Sequence, residues 1–265
     1  MYKIVASDLD GTLLTPEHKI APFTKDVINQ LHRQDKAFIF ATGRHHVDVA
    51  DMREQLGIPA YMITSNGARV HNCKGEVIYK QDLQPSVVRD IVAMAKQDPE
   101  LKIHIYRNDD WLLNIDCEYL KDFHETFQYQ LFDVDNPPLE GIAKVFFIRD
   151  DQDHEKMVEW EERFNAAFGQ QTNIVFSTPW CLEVMDANVS KGHALEAVAK
   201  EKGYELKDCL AFGDGMNDVE MLSMAGKGVI METAHDRVKQ ALPNHEIIGP
   251  CSEEAVAHYL ADNLL

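Results

Sequence analysis

The chain alternates short apolar segments with amphipathic ones, and this alternation constrains its fold more than any other feature. Residues 3–6, 37–41 and 61–63 are short apolar segments of the kind that become buried strands. Between them, apolar residues recur at helical spacing over residues 22–34 and 49–56. This strand–helix order with short turns predicts a parallel sheet that is covered by helices on both faces.

The middle of the chain has a different pattern. Its strand-like segments come in adjacent pairs with helices between them, which is typical of an antiparallel α+β unit. The elements predicted here are a hairpin over residues 69–79, helices over 85–96, 118–127 and 154–168, and strands over 102–106, 111–115, 144–148, 174–177 and 182–185.

The strand–helix alternation returns after this middle part. Ser190 is expected to cap a helix, strands are predicted at residues 210–212 and 228–231, and a final helix is predicted over 252–264. The second domain is therefore predicted to be inserted within the first. The predicted fold is α/β, with a Rossmann-like parallel-sheet core of residues 1–82 and 188–265 and an inserted α+β domain of residues 83–187.

The chain is strongly acidic, with 26 basic and 44 acidic side chains and a net charge of −18. Such a surface disfavours both a nucleic-acid partner and an anionic membrane, because each needs a face rich in Lys and Arg. An anionic substrate would need a local cation in its binding site. The five cysteines are scattered without a CxxC pair, and no signal peptide or membrane segment is visible, so a cytoplasmic protein is expected.

Two aspartates follow the first predicted strand. Asp8 and Asp10 lie two residues apart, so their side chains share a face of an extended segment. Gly11 permits a sharp turn after them. Ligand sites in open α/β sheets lie at this carboxyl edge, although an isolated pair of this kind is more often a pair of solvated carboxylates.

A second acidic cluster, residues 213–218, follows another predicted strand. Together with the first pair, Asp214 and Asp218 would place four carboxylates at one edge of the sheet, which is costly unless a cation neutralises them. A ligand set of oxygens alone favours Mg²⁺ over Zn²⁺. Taken by itself, the segment also fits an Asp-Gly turn followed by a helix cap.

Two further segments could bind an anion. Thr42, Gly43 and Arg44 end the second predicted strand and begin a helix, where a hydroxyl group and free backbone N–H groups bind anions. Lys191 lies in the first turn of a predicted helix, where its charge opposes the helix dipole. Pairing with carboxylates and phosphate explains that position better than a solvated lysine does.

These segments, in this order, resemble the motifs of the haloacid-dehalogenase-like (HAD) phosphatase superfamily, specifically its Cof-type branch with a subclass IIB cap. Residues 8–12 match the first motif, Thr42 the second, Lys191 the third and residues 213–218 the fourth. The chain looks closest to a sugar-phosphate or pyridoxal-phosphate phosphatase of that branch. Asn188 stands where Cof-type chains usually have Gly, and Asn tolerates a left-handed backbone, so the turn there is expected to survive.

The resemblance also implies the chemistry. Asp8 would attack phosphorus and form an aspartyl-phosphate, and Asp10 would act as general acid and base, with Thr42 and Lys191 as the other catalytic residues. The implied cofactor is Mg²⁺, at a site formed by Asp8, Asp10 through its backbone carbonyl, Asp214, Gly215 and Asp218. The phosphate oxygens would be bound by Leu9, Thr42, Gly43, Arg44, Lys191 and Asn217.

The inserted domain would act as a cap that reads the leaving group of a small phosphorylated metabolite. Candidate readers are Arg44, His45 and His46 in the core domain, and Trp111, Trp180 and Glu183 in the inserted domain. Each also has a plain structural interpretation, which for Glu183 is a solvent-facing position on a strand and for the tryptophans a place in the core. A phosphomutase or phosphotransferase with the same intermediate is an alternative. A phospho-receiver-like switch is another, although Asp10 and the long insertion argue against it. The oligomeric state stays open, with a monomer favoured.

Overall fold

The computed structural model describes residues 2–117, 120 and 127–265. The predicted helix over residues 118–127 lies almost wholly outside the described residues. The chain divides into two compact units: unit 1 consists of residues 1–44, 49–79 and 190–265, and unit 2 of residues 45–48 and 80–189. No helix in these described ranges is long and apolar enough to cross a lipid bilayer.

Strands alternate with helices at both ends of the chain, and paired strands occupy its middle. The strands are β1 (Ile4–Ser7), β2 (Ala37–Ala41), β3 (Tyr61–Thr64), β4 (Arg69–His71), β5 (Val77–Lys80), β6 (Leu101–Arg107), β7 (Asp110–Leu113), β8 (Gln130–Leu131), β9 (Ile142–Arg149), β10 (Thr172–Thr178), β11 (Cys181–Asp186), β12 (Cys209–Gly213), β13 (Lys227–Met231) and β14 (Glu246–Ile248). The helices are α1 (Pro22–Arg33), α2 (His46–Leu56), α3 (Pro85–Ala95), α4 (His154–Phe168), α5 (Lys191–Glu201), α6 (Val219–Met224), α7 (Asp236–Ala241) and α8 (Ala255–Leu264).

Unit 1 is built on an eight-stranded sheet with the order β14-β13-β12-β1-β2-β3-β4-β5. Strand β1 pairs in parallel with β2 on one side and with β12 on the other. The register places Ser7, Phe40 and Phe212 side by side, so these three strands end at nearly the same level. The predicted parallel core is confirmed, and the strands of the predicted 69–79 hairpin extend the same sheet, with β4 antiparallel to β3.

Helices cover both faces of this sheet, as the sequence predicts. On one face, Val5 and Phe212 are buried in a cluster with residues of α1 and α8. On the other face, Ala6 and Ala211 are buried in a cluster with residues of α5. Successive strand residues enter opposite clusters because side chains alternate along a strand, and this accounts for the unbroken apolar character of β1 and β12.

Unit 2 is built on a six-stranded sheet with the order β10-β11-β9-β6-β7-β8. Neighbouring strands are antiparallel except for β7 and β8, which are parallel. One face of this sheet is apolar: Ile103, Phe147 and Leu182 lie side by side, fully buried, and Phe147 packs 4.8 Å from the ring of Phe164 in α4. The predicted antiparallel α+β architecture is confirmed.

The opposite face of the unit 2 sheet carries aromatic and charged side chains instead. His104, Phe146 and Glu183 lie side by side on β6, β9 and β11. Lys144 forms a buried ion pair with Glu183, and its Nζ lies 4.5 Å from the centre of the Phe146 ring. This face therefore combines flat apolar rings with polar groups, a composition that suits ligand binding.

Three short elements, β8, α7 and β14, are not predicted by the sequence patterns. Each spans at most six residues, which is too few for a periodic pattern to show. The last helix begins at Ala255 and not at residue 252, because Glu254 has a left-handed backbone with φ of 51°. The Glu254 carboxylate accepts hydrogen bonds from the backbone N–H and the hydroxyl of Thr24, near the start of α1.

The predicted domain boundaries at residues 82/83 and 187/188 stay a prediction. The limits of the compact units lie nearby, at Tyr79/Lys80 and Val189/Ser190, and unit 2 also includes His45–Asp48. The turn at Asn188 forms without a left-handed backbone at this residue. Its backbone N–H and its side-chain amide both donate to Asp186 Oδ1 at 3.0 Å.

We expect Gly67→Ala to lower the free energy of unfolding by roughly 3 kcal/mol, as the sum of backbone strain and overpacking. Gly67 has a φ of 103°, and a Cβ there would lie 2.3 Å from the backbone carbonyl oxygen of Ser190. Gly57→Ala is the matched control, because Gly57 has a φ of 75° but nothing within 4 Å of an added Cβ. Urea unfolding measures both losses. If both variants lost the same free energy of unfolding, the Ser190 carbonyl group would be able to move away from the added Cβ without destabilising the protein.

Candidate active site

The ends of three neighbouring strands bring the site together. Asp8 follows β1, Thr42 follows β2 and Asp214 follows β12. The backbone N–H of Asp8 donates to the carbonyl oxygen of Phe212 at 3.0 Å, which extends the strand pairing to the aspartate itself. Residues that are distant in sequence therefore converge at the carboxyl edge of the sheet, because the strands are parallel and end together.

Lys191 is the positive charge at the centre of this site. It is the first residue of α5, whose N-terminus is capped by the Ser190 hydroxyl through a hydrogen bond from the backbone N–H of His193 at 3.1 Å. Its fully buried side chain places Nζ 2.7 Å from Asp8 Oδ1 and 2.6 Å from Asp218 Oδ1. Burial lowers the pKa of Lys191, but Asp218 and Asp8 outweigh it and raise this pKa above its usual value. The lysine is therefore charged.

Three carboxylates lie close together around this lysine. One oxygen from each of Asp8, Asp214 and Asp218 lies within 4.8 Å of the others. Burial raises the pKa of Asp8 well above its usual value, opposed by Lys191 and assisted by the two other carboxylates. Burial and the charge of Asp218 raise the pKa of Asp214 to about 7. One lysine does not neutralise three carboxylates, so the site favours a further positive charge.

The donor set fits Mg²⁺ or a similar hard cation. Its ligand atoms are carboxylate oxygens, and Mg²⁺ is commonly held in proteins by one or two carboxylates together with substrate phosphate. Thr12 Oγ1 donates to Asp214 Oδ1 at 2.7 Å and orients this carboxylate. Gly11 leaves room beside it, because a Cβ at Gly11 would lie 2.4 Å from Asp214 Oδ2. Asp8 and Asp214 are the residues best placed to hold such an ion.

Both carboxylate oxygens of Asp218 are already hydrogen-bonded within the site. Oδ2 accepts from the backbone N–H groups of Asp214 and Gly215, at 3.0 and 2.9 Å, and Oδ1 accepts from Lys191. Asp218 therefore orients the loop and the lysine rather than presenting a free ligand atom. The sequence-based placement of Asp218 and Gly215 beside a metal ion stays a prediction.

The Asp10 carboxylate is not part of the group that Asp8, Asp214 and Asp218 form. Arg44 donates from Nη2 to Asp10 Oδ1 and from Nε to Oδ2, both at 2.6 Å, and His18 Nδ1 lies 2.9 Å from Oδ1. Burial raises the pKa of Asp10, but the hydrogen bonds from Arg44 and His18 outweigh it and hold this pKa well below its usual value. Asp10 is therefore ionised here. The predicted roles of Asp10 as an acid and of Arg44 as a phosphate ligand stay predictions.

The other predicted phosphate ligands are one threonine, one asparagine and two backbone groups. The Thr42 hydroxyl accepts a hydrogen bond from the backbone N–H two residues later, at 3.1 Å, so its own proton is left for another acceptor. Asn217 donates from Nδ2 to Asn66 Oδ1 at 3.0 Å. Leu9 and Gly43 each lie two residues after the end of a strand, β1 and β2 respectively, and they would contribute only backbone groups. These phosphate roles stay predictions.

The buried turn Ser65–Gly67, which follows β3, was not predicted from the sequence. Ser65 and Asn66 both have a left-handed backbone, with φ of 48° and 57°, which is uncommon for residues other than glycine. The backbone N–H of Asn66 donates to the carbonyl oxygen of Thr42 at 3.0 Å, and this bond ties the turn to the site. The available signal was a polar Ser-Asn-Gly triplet directly after a third strand of the same sheet.

Of the predicted readers of the leaving group, Arg44 lies in unit 1 and the others lie in unit 2, including His45 and His46, which the sequence placed in the core domain. His45 Nε2 lies 2.9 Å from a backbone carbonyl oxygen, and His46 Nε2 lies 3.0 Å from Asp109 Oδ1. Glu183 is buried in its ion pair with Lys144, so its interpretation as a solvent-facing residue is wrong. Each of the three has a polar contact inside this unit, and none of these contacts assigns a ligand to them.

Comparison with known proteins decides the family. The family of haloacid dehalogenase-like hydrolases matches residues 5–260. The chain belongs to the haloacid dehalogenase-like hydrolase family. The predicted superfamily is thus confirmed, together with the prediction that this HAD hydrolase is an enzyme.

Individual relatives of this HAD hydrolase cover nearly the whole chain. It is 44% identical to a Haemophilus influenzae protein whose name gives it only provisionally as a phosphatase, over 98% of this chain and 96% of that one. It is 38% identical to the HMP-PP phosphatase of Cronobacter sakazakii, over 98% of this chain and 95% of that one. A solved haloacid dehalogenase-like hydrolase from B. subtilis has a TM-score of 0.87 at 24% identity, over 99% of this chain and 100% of that one, and shows the same fold.

Lys191→Met should lower the free energy of unfolding by about 3–5 kcal/mol, because it leaves buried carboxylates without their partner charge. Lys200→Met is the matched control on the same helix: Lys200 is 69% exposed in its pair with Glu196, so its loss should stay within about 0.5 kcal/mol. Urea unfolding compares the two variants. If Lys191→Met lost no more free energy of unfolding than the control, Lys191 would not be needed as the partner charge of the buried carboxylates.

Mg²⁺ should raise the melting temperature of the wild-type protein, because an ion that binds only the folded state stabilises it by mass action. Asp214→Asn should lose most of this rise, since one of the three clustered carboxylates is removed. Asp236→Asn changes an exposed aspartate at the start of α7 and should keep the full rise. Thermal unfolding in Mg²⁺ and in EDTA provides the comparison. An unchanged rise in Asp214→Asn would place the ion elsewhere.

Proposed function

We propose that this HAD hydrolase is a Mg²⁺-dependent phosphatase that hydrolyses phosphate monoesters of small metabolites through an aspartyl-phosphate on Asp8. The observation that supports this most is the buried group of Asp8, Lys191, Asp214 and Asp218 at the carboxyl edge of the sheet. It combines an oriented carboxylate, a buried positive charge and a donor set for a cation. Phosphoryl transfer depends mainly on such positioning and charge neutralisation.

Asp8 is oriented as a carboxylate nucleophile. Lys191 binds its Oδ1 at 2.7 Å, and its Oδ2 accepts no hydrogen bond from the residues that the structure describes. Attack by Asp8 forms an oxygen–phosphorus bond while the bond from phosphorus to the leaving oxygen breaks. Water then attacks the same phosphorus, the Asp8–phosphorus bond breaks, and inorganic phosphate leaves with Asp8 restored.

Lys191 supports this reaction in two ways. It stabilises the ionised form of Asp8 against the effect of burial, which the nucleophile needs before it can attack. It also places a buried positive charge where the negative phosphate oxygens would gather. A Mg²⁺ ion held by Asp8 and Asp214 would neutralise phosphate charge and polarise the phosphorus–oxygen bonds. The free proton of the Thr42 hydroxyl offers a further donor to the phosphate.

While it is paired with Arg44, Asp10 can act as the general base in the second half of the reaction, the hydrolysis of the aspartyl-phosphate. Its ionised carboxylate can take a proton from the attacking water as a general base. Protonation of the leaving oxygen in the first half requires a protonated Asp10, and the hydrogen bonds from Arg44 and His18 oppose that state. The acid role of Asp10 therefore requires its ion pair with Arg44 to open.

Small phosphorylated metabolites are the substrate class that the relatives favour. Two of them carry phosphatase names, and one of these names specifies HMP-PP. The net charge of −18 repels anions at long range, so binding of a phosphate must depend on local positive charge from Lys191 and a bound cation. Pyridoxal phosphate and hexose phosphates are the candidates that we propose to test first.

Phosphate release from a panel of esters tests the proposal, with pyridoxal phosphate, hexose phosphates and a nucleotide each assayed in Mg²⁺ and in EDTA. We expect release that requires Mg²⁺ and that falls by at least roughly 10³-fold in Asp8→Asn, because the nucleophile is removed. Asp236→Asn should keep the wild-type rate. Undiminished release by Asp8→Asn would exclude the aspartyl-phosphate route. A folded, Mg²⁺-binding protein that released phosphate from no ester would exclude the phosphatase.

A further inference from the structure

The buried turn Ser65–Gly67 contacts three separate segments of the candidate site, and the reaction proposed above gives it no role. All of these segments lie in unit 1. One carries Thr42, the second carries Lys191 and the third carries Asn217, which are predicted phosphate ligands. These ligands are distant from one another in the sequence, so their relative positions depend on contacts of the kind that this turn makes.

Two successive backbone amides fasten the turn to the loop after β2. The N–H of Ser65 donates to the carbonyl oxygen of Arg44 at 2.9 Å. The N–H of Asn66 donates to the carbonyl oxygen of Thr42 at 3.0 Å. The N–H of Thr42 donates in turn to the carbonyl oxygen of Ile63, in β3, at 2.8 Å. Backbone hydrogen bonds therefore hold the turn and the loop that carries Thr42 together.

Gly67 brings the turn against the start of α5. A Cβ at Gly67 would lie 2.3 Å from the backbone carbonyl oxygen of Ser190 and 3.1 Å from the Cβ of Ala194. An approach this close is possible because glycine has no side chain. Ser190 caps α5 and directly precedes Lys191, so the turn packs against the segment that positions the buried lysine.

The side chain of Asn66 provides the third contact. Asn66 is 1% exposed, and its Oδ1 accepts a hydrogen bond from Asn217 Nδ2 at 3.0 Å. A buried acceptor is costly to leave unpaired, so this bond holds the Asn217 amide in one orientation. Nδ2 carries two protons, and the second is not bonded to any residue that the structure describes. Asn217 thus keeps one N–H for a phosphate oxygen.

The backbone conformation of the turn does not by itself explain an asparagine at its centre. Ser65, Asn66 and Gly67 have φ values of 48°, 57° and 103°, all in the left-handed region. Glycine adopts that region with the least strain, and backbone strain in proteins is concentrated at functional sites. Asparagine tolerates the left-handed backbone and adds an acceptor that glycine lacks. The side chain of Asn66 therefore contributes its contact with Asn217 in addition to what the turn requires.

We propose that Asn66 is a positioning residue of the phosphate site, which holds the amide of Asn217 so that the second Nδ2 proton is donated to a phosphate oxygen. Asn66 itself touches no reacting atom and acts through Asn217. The backbone bonds of the turn and its packing against α5 keep Asn66 in place relative to Thr42 and Lys191. This role rests on the proposed function, because Asn217 has to bind phosphate for its orientation to matter.

Titration calorimetry of the full-length protein with inorganic phosphate in Mg²⁺ tests this role without any turnover. Asn66→Gly removes the side chain and keeps a residue that favours the left-handed backbone. It should weaken phosphate binding by about tenfold, the effect of losing one hydrogen bond to a charged group. Asp35→Gly is the matched control and should keep the wild-type affinity. Asp35 has the same φ of 57° and is exposed in the turn before β2, at the end of this strand away from Thr42.

A double-mutant cycle separates a positioning role from a purely structural one. Asn217→Ala should weaken phosphate binding by about tenfold, and adding Asn66→Gly to it should weaken binding no further, because both changes remove the same N–H contact. A side chain that served only the stability of the turn would change the melting temperature and leave the phosphate affinity of the folded protein unchanged. Wild-type affinity in Asn66→Gly would overturn the proposal. An equal loss of affinity on adding Asn66→Gly to the wild type and to Asn217→Ala would also overturn it.

Kinetics with the best ester of the panel distinguish this role from the proposed function. We expect kcat/KM to fall by about tenfold in Asn66→Gly and to keep its wild-type value in Asp35→Gly. A wild-type protein that bound phosphate but hydrolysed no ester would contradict the phosphatase, and the phosphate affinities would still show whether Asn66 acts through Asn217. A folded wild-type protein that bound no phosphate in Mg²⁺ would overturn the positioning role.

Discussion

The buried ion pairs of Lys191 are the interaction on which the rest of the site depends. Its Nζ joins Asp8, at the end of the central strand β1, to Asp218, in the loop after β12. Both carboxylates are buried, and removing the partner of a buried charge is strongly destabilising. The lysine begins α5, so the packing of that helix on the sheet sets the position of the charge. In unit 1, the geometry of the site therefore depends on the packing of α5 against the sheet.

Lys191 alone does not compensate the negative charge of the three clustered carboxylates, and this excess negative charge favours the binding of a cation. Three clustered carboxylates share one positive side chain, and the pKa of Asp214 rises to about 7 as a result of burial and the charge of Asp218. A cation resolves that repulsion, and a cation together with a lysine can attract a phosphate to a protein with a net charge of −18. A structural ion pair alone would need no third carboxylate.

Much of this arrangement could be predicted from the sequence, because it depends on where apolar segments end. Asp8 and Asp214 each follow an apolar segment, and parallel strands bring such ends together. Lys191 could be recognised because a lysine in the first turn of a helix opposes the helix dipole. The sheets and most helices followed from periodicity for the same reason: long, regular segments carry a clear pattern.

The remaining features depend on contacts between segments that carry no pattern. The hydrogen bonds of Asp10 with Arg44 and His18 arise where two loops meet, and His18 has no sequence signal of its own. The left-handed backbone of Ser65 is imposed by its surroundings rather than by residue type. The indole N–H of Trp111 donates to His104 Nδ1 at 3.2 Å across a strand pair, a contact that no pattern in the sequence predicts. Such features require the folded structure.

The aspartyl-phosphate route is tested most directly by a search for the phosphoryl group on the enzyme. Turnover of the best ester from the panel is stopped by rapid acid quenching, and the protein is digested and examined by mass spectrometry. We expect a phosphoryl group on the peptide that contains Asp8, formed before inorganic phosphate appears and missing from Asp8→Asn. A phosphoryl group on another residue, or full-rate phosphate release with no phosphorylated enzyme at any time, would exclude Asp8 as the nucleophile.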